Sequence, residues 1–389
     1  MINIKQLSLF LIAALIFTLG CRKNQIQDKD LRDFNQVNLV ANAAWYNPVT
    51  VDPTLMNAWG LAWSPGGIAW VNSMSGHVSE LYTGEGAIVR APVLIPSPAD
   101  TMGGSPTGIV FNSTKGFKLP NGAAAAFIFV GEDGVLSAWN GPAGNKAFRI
   151  ADHSATSSYT GLTLAANGAA KNIYAANFKT GKIDVWDTTW TAVPMQFRDP
   201  SLPAGYAPFN IQSVGSWLFV MYAKVGPEGD EEKGAGNGFV DIFNTDGSFV
   251  KRFASRGKLN APWGVVQAAA SFLDDNDMDD DDNGEDHSGH NSNNSGPGNN
   301  GHNVFGDNHH NTDPVILVGN FGDGHINAYT LDGKFLGQLQ SHKRTIVING
   351  LWALSFAPST ATAIDPNRLY FTAGPNDEAD GLFGYLIKK

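Results

Sequence analysis

Three features of the 389-residue sequence predict an all-β fold, specifically a six-bladed β-propeller with four-stranded blades. The chain is rich in Gly (44), Pro (20) and Trp (10) while only 16% of residues are charged, which disfavours helical bundles and coiled coils. Short β-branched and aromatic runs alternate with Gly, Asn and Asp turns such as TGEG, NTDG and LDGK. One short apolar motif returns six times at nearly constant spacing, as a repeat architecture requires.

The six copies are NAWGLAWSP (57–65), SPTGIVFN (105–112), YTGLTLAANG (159–168), FNIQSVG (209–215), APWGVVQA (261–268) and LWALSFAPS (351–359). Aligned at Gly60, Gly108, Gly161, Ile211, Gly264 and Ala353, they lie 48, 53, 50, 53 and 89 residues apart. Residues 274–313 hold 11 of the 36 acids and no Lys or Arg. Removing those 40 residues turns 89 into 49, so the segment reads as an insertion in blade 5. Glycine at the turn into the first strand, present in four of the six copies, permits close backbone approach, which suits a crowded axis.

The remaining strands repeat in order. Second strands end in polar residues, as in IAWVNS, AFIFVGED, NIYAANF and VILVGNFGDG, and third strands follow, as in VLSAWNG and KIDVWDT. A weaker, more polar fourth strand, such as SFVKRFA, precedes most of the next first-strand turns. The sixth unit stops after three strands at Lys389, and QVNLVANA (36–43) supplies the missing outer one, closing the ring. A β-sandwich followed by a second β domain is the competing architecture. Six regular units with no Pro/Ser linker favour the propeller.

The blades resemble degenerate NHL-type repeats. More closely, NAWGL, GSPTGIVFN, FNIQ, APWG and LVGNFGDG resemble an uncharacterised family of exported bacterial propeller proteins. The resemblance covers residues 36–389 outside the insertion. It implies the fold and export, and carries no activity.

At the start, Lys5 precedes a 13-residue apolar stretch from Leu7 to Leu19, too short to span a bilayer but suited to a secretory leader. Gly20 and Cys21 follow, and Cys21 is the only cysteine, so a disulfide within one chain is impossible. The arrangement resembles a bacterial lipoprotein signal, with departures at Thr18 and Leu19; the competing reading is an ordinary signal peptide with an incidental cysteine. Arg22 stands where inner-membrane retention is associated with Asp. The resemblance thus implies a leader (1–20), lipidation at Cys21, a tether (21–35) and an anchor in the outer membrane.

Outside 274–313 the chain has 25 acids against 26 bases, so no global field attracts a partner. The net charge of −10 and pI near 5.3 argue against a nucleic-acid partner, and the expected state is a monomer. In a propeller, the first-strand turns and the second-strand ends share the upper face. Two sets then converge on an axial funnel: Trp59, Thr107, Thr160, Asn210, Trp263 and Trp352 from the turns, and Asn72, Glu132, Asp133, Asn177, Lys224, Asn320, Asp323, Asn376 and Asp377 from the strand ends. Individually, the Asn and Asp residues also suit turn formation and the Trp residues axis filling. Collectively, the ring suits a small-molecule, glycan or protein ligand. Alternatively, its oxygens could hold Ca²⁺ for a lactonase-like hydrolysis. No HExxH, GxSxG, P-loop or CxxC motif is present, so binding ranks above catalysis.

The insertion carries a partial calcium-loop pattern, Asp279, Asp281, Asn283 and Gly284, with His290 where a closing Glu belongs. His287, His290, His302, His309 and His310 beside carboxylates also suit Zn²⁺, Ni²⁺ or Cu²⁺, against a plain reading as a solvated low-complexity loop. The insertion joins the first and second strands of blade 5, so it is expected to leave the face opposite the funnel.

Overall fold

The computed structural model describes residues 31–273 and 314–389. Six sheets surround one axis. Blade 1 comprises β3 (Ala58–Trp63), β4 (Ala69–Ser73), β5 (Val78–Tyr82) and β6 (Val93–Leu94), and blade 2 comprises β7 (Pro106–Phe111), β8 (Phe127–Gly131), β9 (Val135–Trp139) and β10 (Phe148–Asp152). Blade 3 has only β11 (Tyr159–Asn167), β12 (Ala170–Asn177) and β13 (Lys182–Asp187). Blade 4 is β14 (Tyr206–Val214), β15 (Trp217–Lys224), β16 (Gly238–Phe243) and β17 (Phe249–Ser255). Blade 5 is β18 (Pro262–Gln267), β19 (Val315–Asn320), β20 (Ile326–Thr330) and β21 (Phe335–Gln338). A two-stranded ribbon, β22 (Gln340–Ser341) and β23 (Arg344–Thr345), precedes blade 6. That blade joins β24 (Leu351–Phe356), β25 (Leu369–Ala373) and β26 (Leu382–Lys388) to the first two strands of the fold, β1 (Phe34–Ala41) and β2 (Thr50–Val51).

The closing strand lies where the sequence puts it but starts two residues earlier. Phe34 pairs with Lys388 and Ala41 with Leu382. Phe34 and Leu31 are buried, so the expected tether boundary at residue 35 is too late. The reason is an aromatic contact: Phe34 packs at 4.9 Å on Phe272, in a one-turn helix, α1 (Ala270–Leu273), that the sequence reading lacked.

Because each blade packs both faces against neighbours, its middle strands are buried without alternation. Strands β4, β8, β9, β16 and β19 are buried at every position. The buried apolar residues divide into one core per seam and one on the axis. Large rings fill the seams, as where Trp70 stacks on Phe127 at 4.0 Å between blades 1 and 2. At the closing seam, Tyr82 donates to Asp52 (2.9 Å), and the Thr54 hydroxyl lies 2.6 Å from Asp52 and 2.5 Å from Glu80. One hydroxyl proton cannot serve both carboxylates. Glu80, 1% exposed, is pushed up to about 7 chiefly by burial and further by the Asp52 charge, while the Thr54 hydrogen bond opposes the rise.

Towards the axis the packing becomes closer still. A Cβ on Gly60 would collide with the Thr107 carbonyl oxygen, and one on Gly161 with the Asn210 side chain. On Gly264 it would lie 2.7 Å from the Trp352 carbonyl oxygen. The repeated glycines are there because neighbouring backbones leave no room for a side chain. Gly60→Ala is expected to cost about 2–3 kcal/mol by overpacking. Gly141→Ala, whose Cβ meets nothing within 4 Å, should change little. Denaturant unfolding of the two variants measures the difference, and equal midpoints would contradict the close approach at the axis.

Candidate functional site

In all six blades the start of the first strand pairs with the end of the second: Ala58 with Ser73, Pro106 with Gly131, Tyr159 with Asn177, Tyr206 with Lys224, Pro262 with Asn320 and Leu351 with Ala373. All six inner strands also shift register within two or three residues of that point. A bulge adds an unpaired residue and bends the strand. Here the recurrent bulge contains Trp59, Thr107, Thr160, Phe209, Trp263 and Trp352. In blade 4 the bulged residue is Phe209, which the sequence alignment passed over in favour of Asn210.

The bulges build a plug rather than an open funnel. Trp59 stacks on Trp352 at 3.6 Å, Phe321 lies on Trp352 at 3.9 Å, and Trp263 meets it edge-on at 6.0 Å. Phe178 and Phe209 complete this axial core. Polar members of the expected ring mostly staple one blade to another. Asn72 Nδ2 donates to Thr107 O (3.0 Å), Thr107 Oγ1 to Tyr159 O (2.6 Å), and Asn210 Nδ2 to Trp263 O (2.8 Å). Trp263 Nε1 reaches Thr160 O (2.9 Å), and Thr372 Oγ1 donates to Trp59 O. Asn320 Nδ2 donates to Lys258 O and Asp323, while Asp133 accepts from the Ser105 and Val135 amides. Asn177 is turned away from the axis towards Asp184 (2.8 Å). Four buried atoms of the ring have no protein partner: Trp59 Nε1, Asn72 Oδ1, Thr160 Oγ1 and Asn320 Oδ1.

Above the plug lies a carboxylate-rich mouth that includes the expected Glu132, Asp323, Asn376 and Asp377 and adds Glu231, Lys233 and Glu378. A pocket of about 340 Å³ is lined by Phe321, Asp323, Asn376, Asp377 and Lys233. Lys233 holds its ammonium 4.4 Å over the Phe321 ring. Glu132, Glu231 and Glu378 come from blades 2, 4 and 6. Burial, reinforced by the charges of Glu378 and Asp230, pushes Glu132 and Glu231 up to about 7, and burial also raises Glu378. Trp352 Nε1 donates to Asn57 Oδ1 (2.8 Å), whose amide donates to Glu378 (2.8 Å), tying plug to mouth. Glu378 ends a run of three left-handed residues, Asn376, Asp377 and Glu378, with φ of 58°, 49° and 67°. Such a run costs L-residues free energy and is a known accompaniment of functional sites. Lys224 is paired with Glu232 at 2.6 Å.

Among the described residues no three His, Cys, Asp or Glu side chains are grouped to hold a metal ion. The calcium ring expected at the axis is not assembled at its centre, because stacked aromatic rings occupy it. Asp279, Asp281, Asn283, His287, His290 and the other insertion histidines lie outside the described residues, as does Cys21. The flanks of the insertion, Leu273 and Pro314, stand at the end of blade 5 opposite the mouth.

No protein-family profile matches the chain. It is 28% identical over 368 residues to Uncharacterized protein R648 of Acanthamoeba polyphaga mimivirus, covering 91% of this chain and 80% of that one. With Uncharacterized protein L690 of the same virus it shares 31% identity over 301 residues, 73% of this chain and 67% of the relative. The chain belongs to the L690 family. Among solved structures, a streptogramin B lyase superposes with a TM-score of 0.48 at 12% identity, covering 91% of this chain and 96% of that one. A gluconolactonase from Xanthomonas campestris gives 0.47 at 13%, with 86% of each chain covered.

The mouth sets a dependence of stability on pH. Glu132 and Glu231 titrate higher in the fold than in the unfolded chain. Their contribution is complete below the ordinary glutamate range and is lost as pH rises through about 7. The Glu132→Gln/Glu231→Gln variant should gain on the wild type as pH rises, its melting temperature relative to wild type being about 2 °C or more higher at pH 8.5 than at pH 4. Equal melting temperatures at both pH values would refute the raised titrations.

Proposed function

We propose that the protein is a binding module whose ligand offers a cationic group to the mouth of the propeller axis. The observation that carries this reading is the charge left over there. Glu132, Glu231 and Glu378 feel one another's charge or that of Asp230, Asp377 lies beside Glu378, and the one cation acting on Glu231 and Glu378 is Lys233, which already lies over Phe321. Carboxylate walls above an aromatic floor suit an ammonium or guanidinium group, whether on a small amine or on a protein side chain. A calcium-dependent lactonase, the alternative from the sequence, lacks a grouped ligand set among the described residues. Titration calorimetry with tetramethylammonium, spermidine and a lysine pentapeptide tests the reading. At least one should bind at pH 8, tenfold or more weaker at pH 5.5 or in Glu132→Gln/Glu378→Gln, and tighter in Lys233→Met. Equal binding of acetylated, uncharged analogues, no binding at all, or indifference to the substitutions would overturn it.

The address belongs to the same proposal. The apolar leader and Cys21 support export and a lipid anchor in the outer membrane, consistent with the resemblance to exported bacterial propellers. Expressed with its leader in a Gram-negative host, the protein should partition into detergent and incorporate labelled palmitate. Cys21→Ser should abolish both; retention of label by that variant would rule out the anchor.

A further inference from the structure

Blade 3 alone lacks a fourth strand among the described residues. Its outer strand, β13, pairs inward with β12 from Lys182 to Asp187. On its outer side the chain returns only briefly: Asp187 N–H donates to Thr191 O (3.0 Å) and Val193 N–H to Val185 O (2.8 Å). Pro194, which has no N–H to give, follows, and the chain leaves so that Met195 and Phe197 pack into the seam with blade 4. In an antiparallel ladder the outward groups alternate, so those of Ile183 point the same way as those of Val185 and Asp187. The Ile183 N–H and C=O and the Val185 N–H have no outer backbone partner.

Beside this open edge lies a cleft of about 750 Å³, larger than the axial pocket. It is bounded by β13, by residues 194–198 and by the loop carrying His153. His153 stacks on Trp186 at 5.9 Å, and its buried Nε2 has no partner. The Asp184 carboxylate is already taken, by Tyr159 Oη (3.1 Å) and Asn177 Nδ2 (2.8 Å). Lys182 and Arg198 also line the cleft, are exposed and form no ion pair among the described residues. The unspent groups are therefore backbone donors and an acceptor along a strand edge, together with two cations.

We propose that this cleft receives an extended acidic peptide of a partner protein as the missing strand of blade 3. Main-chain hydrogen bonds to Ile183 and Val185 supply the affinity, and Lys182 and Arg198 select carboxylate side chains. A strand edge with unpaired backbone groups asks for backbone rather than for a compact small molecule. The two unpaired cations make the charge of that peptide negative.

The test is a selection of displayed random heptapeptides on the whole protein, counter-selected on Lys182→Glu/Arg198→Glu. Both positions are exposed, so the variant should melt with the wild type. Enriched peptides should be rich in Asp and Glu, bind the variant at least tenfold more weakly, and slow amide exchange at Ile183 and Val185. Methylating alternate peptide nitrogens should cost a further tenfold or more. The proposal fails if no peptide is enriched over the variant, if exchange at those amides is unchanged, or if methylation has no effect. It also fails if binding requires deletion of 274–313, which would make the chain's own acidic segment the occupant.

Discussion

The rest of the molecule depends on crowding at the axis. Inner strands approach until no Cβ fits at Gly60, Gly161 or Gly264, and each bulges at the same level. The bulge turns an aromatic or hydroxyl side chain towards the centre, where indoles seal the ring and short polar groups reach the next blade's carbonyls. Because those polar groups are spent on neighbours, they lock the blades in register instead of reaching a ligand. Chemistry is left to the loops one layer higher.

Much of this was legible in the glycines. With Ile211 and Ala353 standing in blades 4 and 6, the spacing of the four glycines and these two yields six units and exposes the insertion, because each position answers a steric demand repeated once per blade. What the repeat does not control was harder to read. Whether Trp59, Trp263 and Trp352 line a funnel or fill it depends on inter-blade distance, which spacing alone does not contain. Alignment on glycine placed Asn210 where the bulge presents Phe209. Glu231, Lys233 and Glu378 sit in loops whose course is set by tertiary contacts. A left-handed run ending in Glu has no local signature beyond its Asn-Asp start. Phe34 was hidden by its polar neighbours, and the missing strand of blade 3 was foreshadowed only by Pro194.

The mouth also shows how a site can be maintained against stability. Buried carboxylates that repel one another, and three consecutive residues in the left-handed region, are each unfavourable taken alone. They persist because Asn57 links Glu378 to the aromatic plug and because the six seams hold the surrounding scaffold. Strain concentrated in loops above a rigid ring leaves the ring intact.

Phe34, Lys388 and both flanks of residues 274–313 gather at the end of blades 5 and 6 remote from the mouth. The described residues nearest the head, the tail and that internal junction thus share one side. The two flanks lead from β18 and into β19 of an intact four-stranded blade 5. A fusion or a solid support attached at the same place would leave the opposite opening clear.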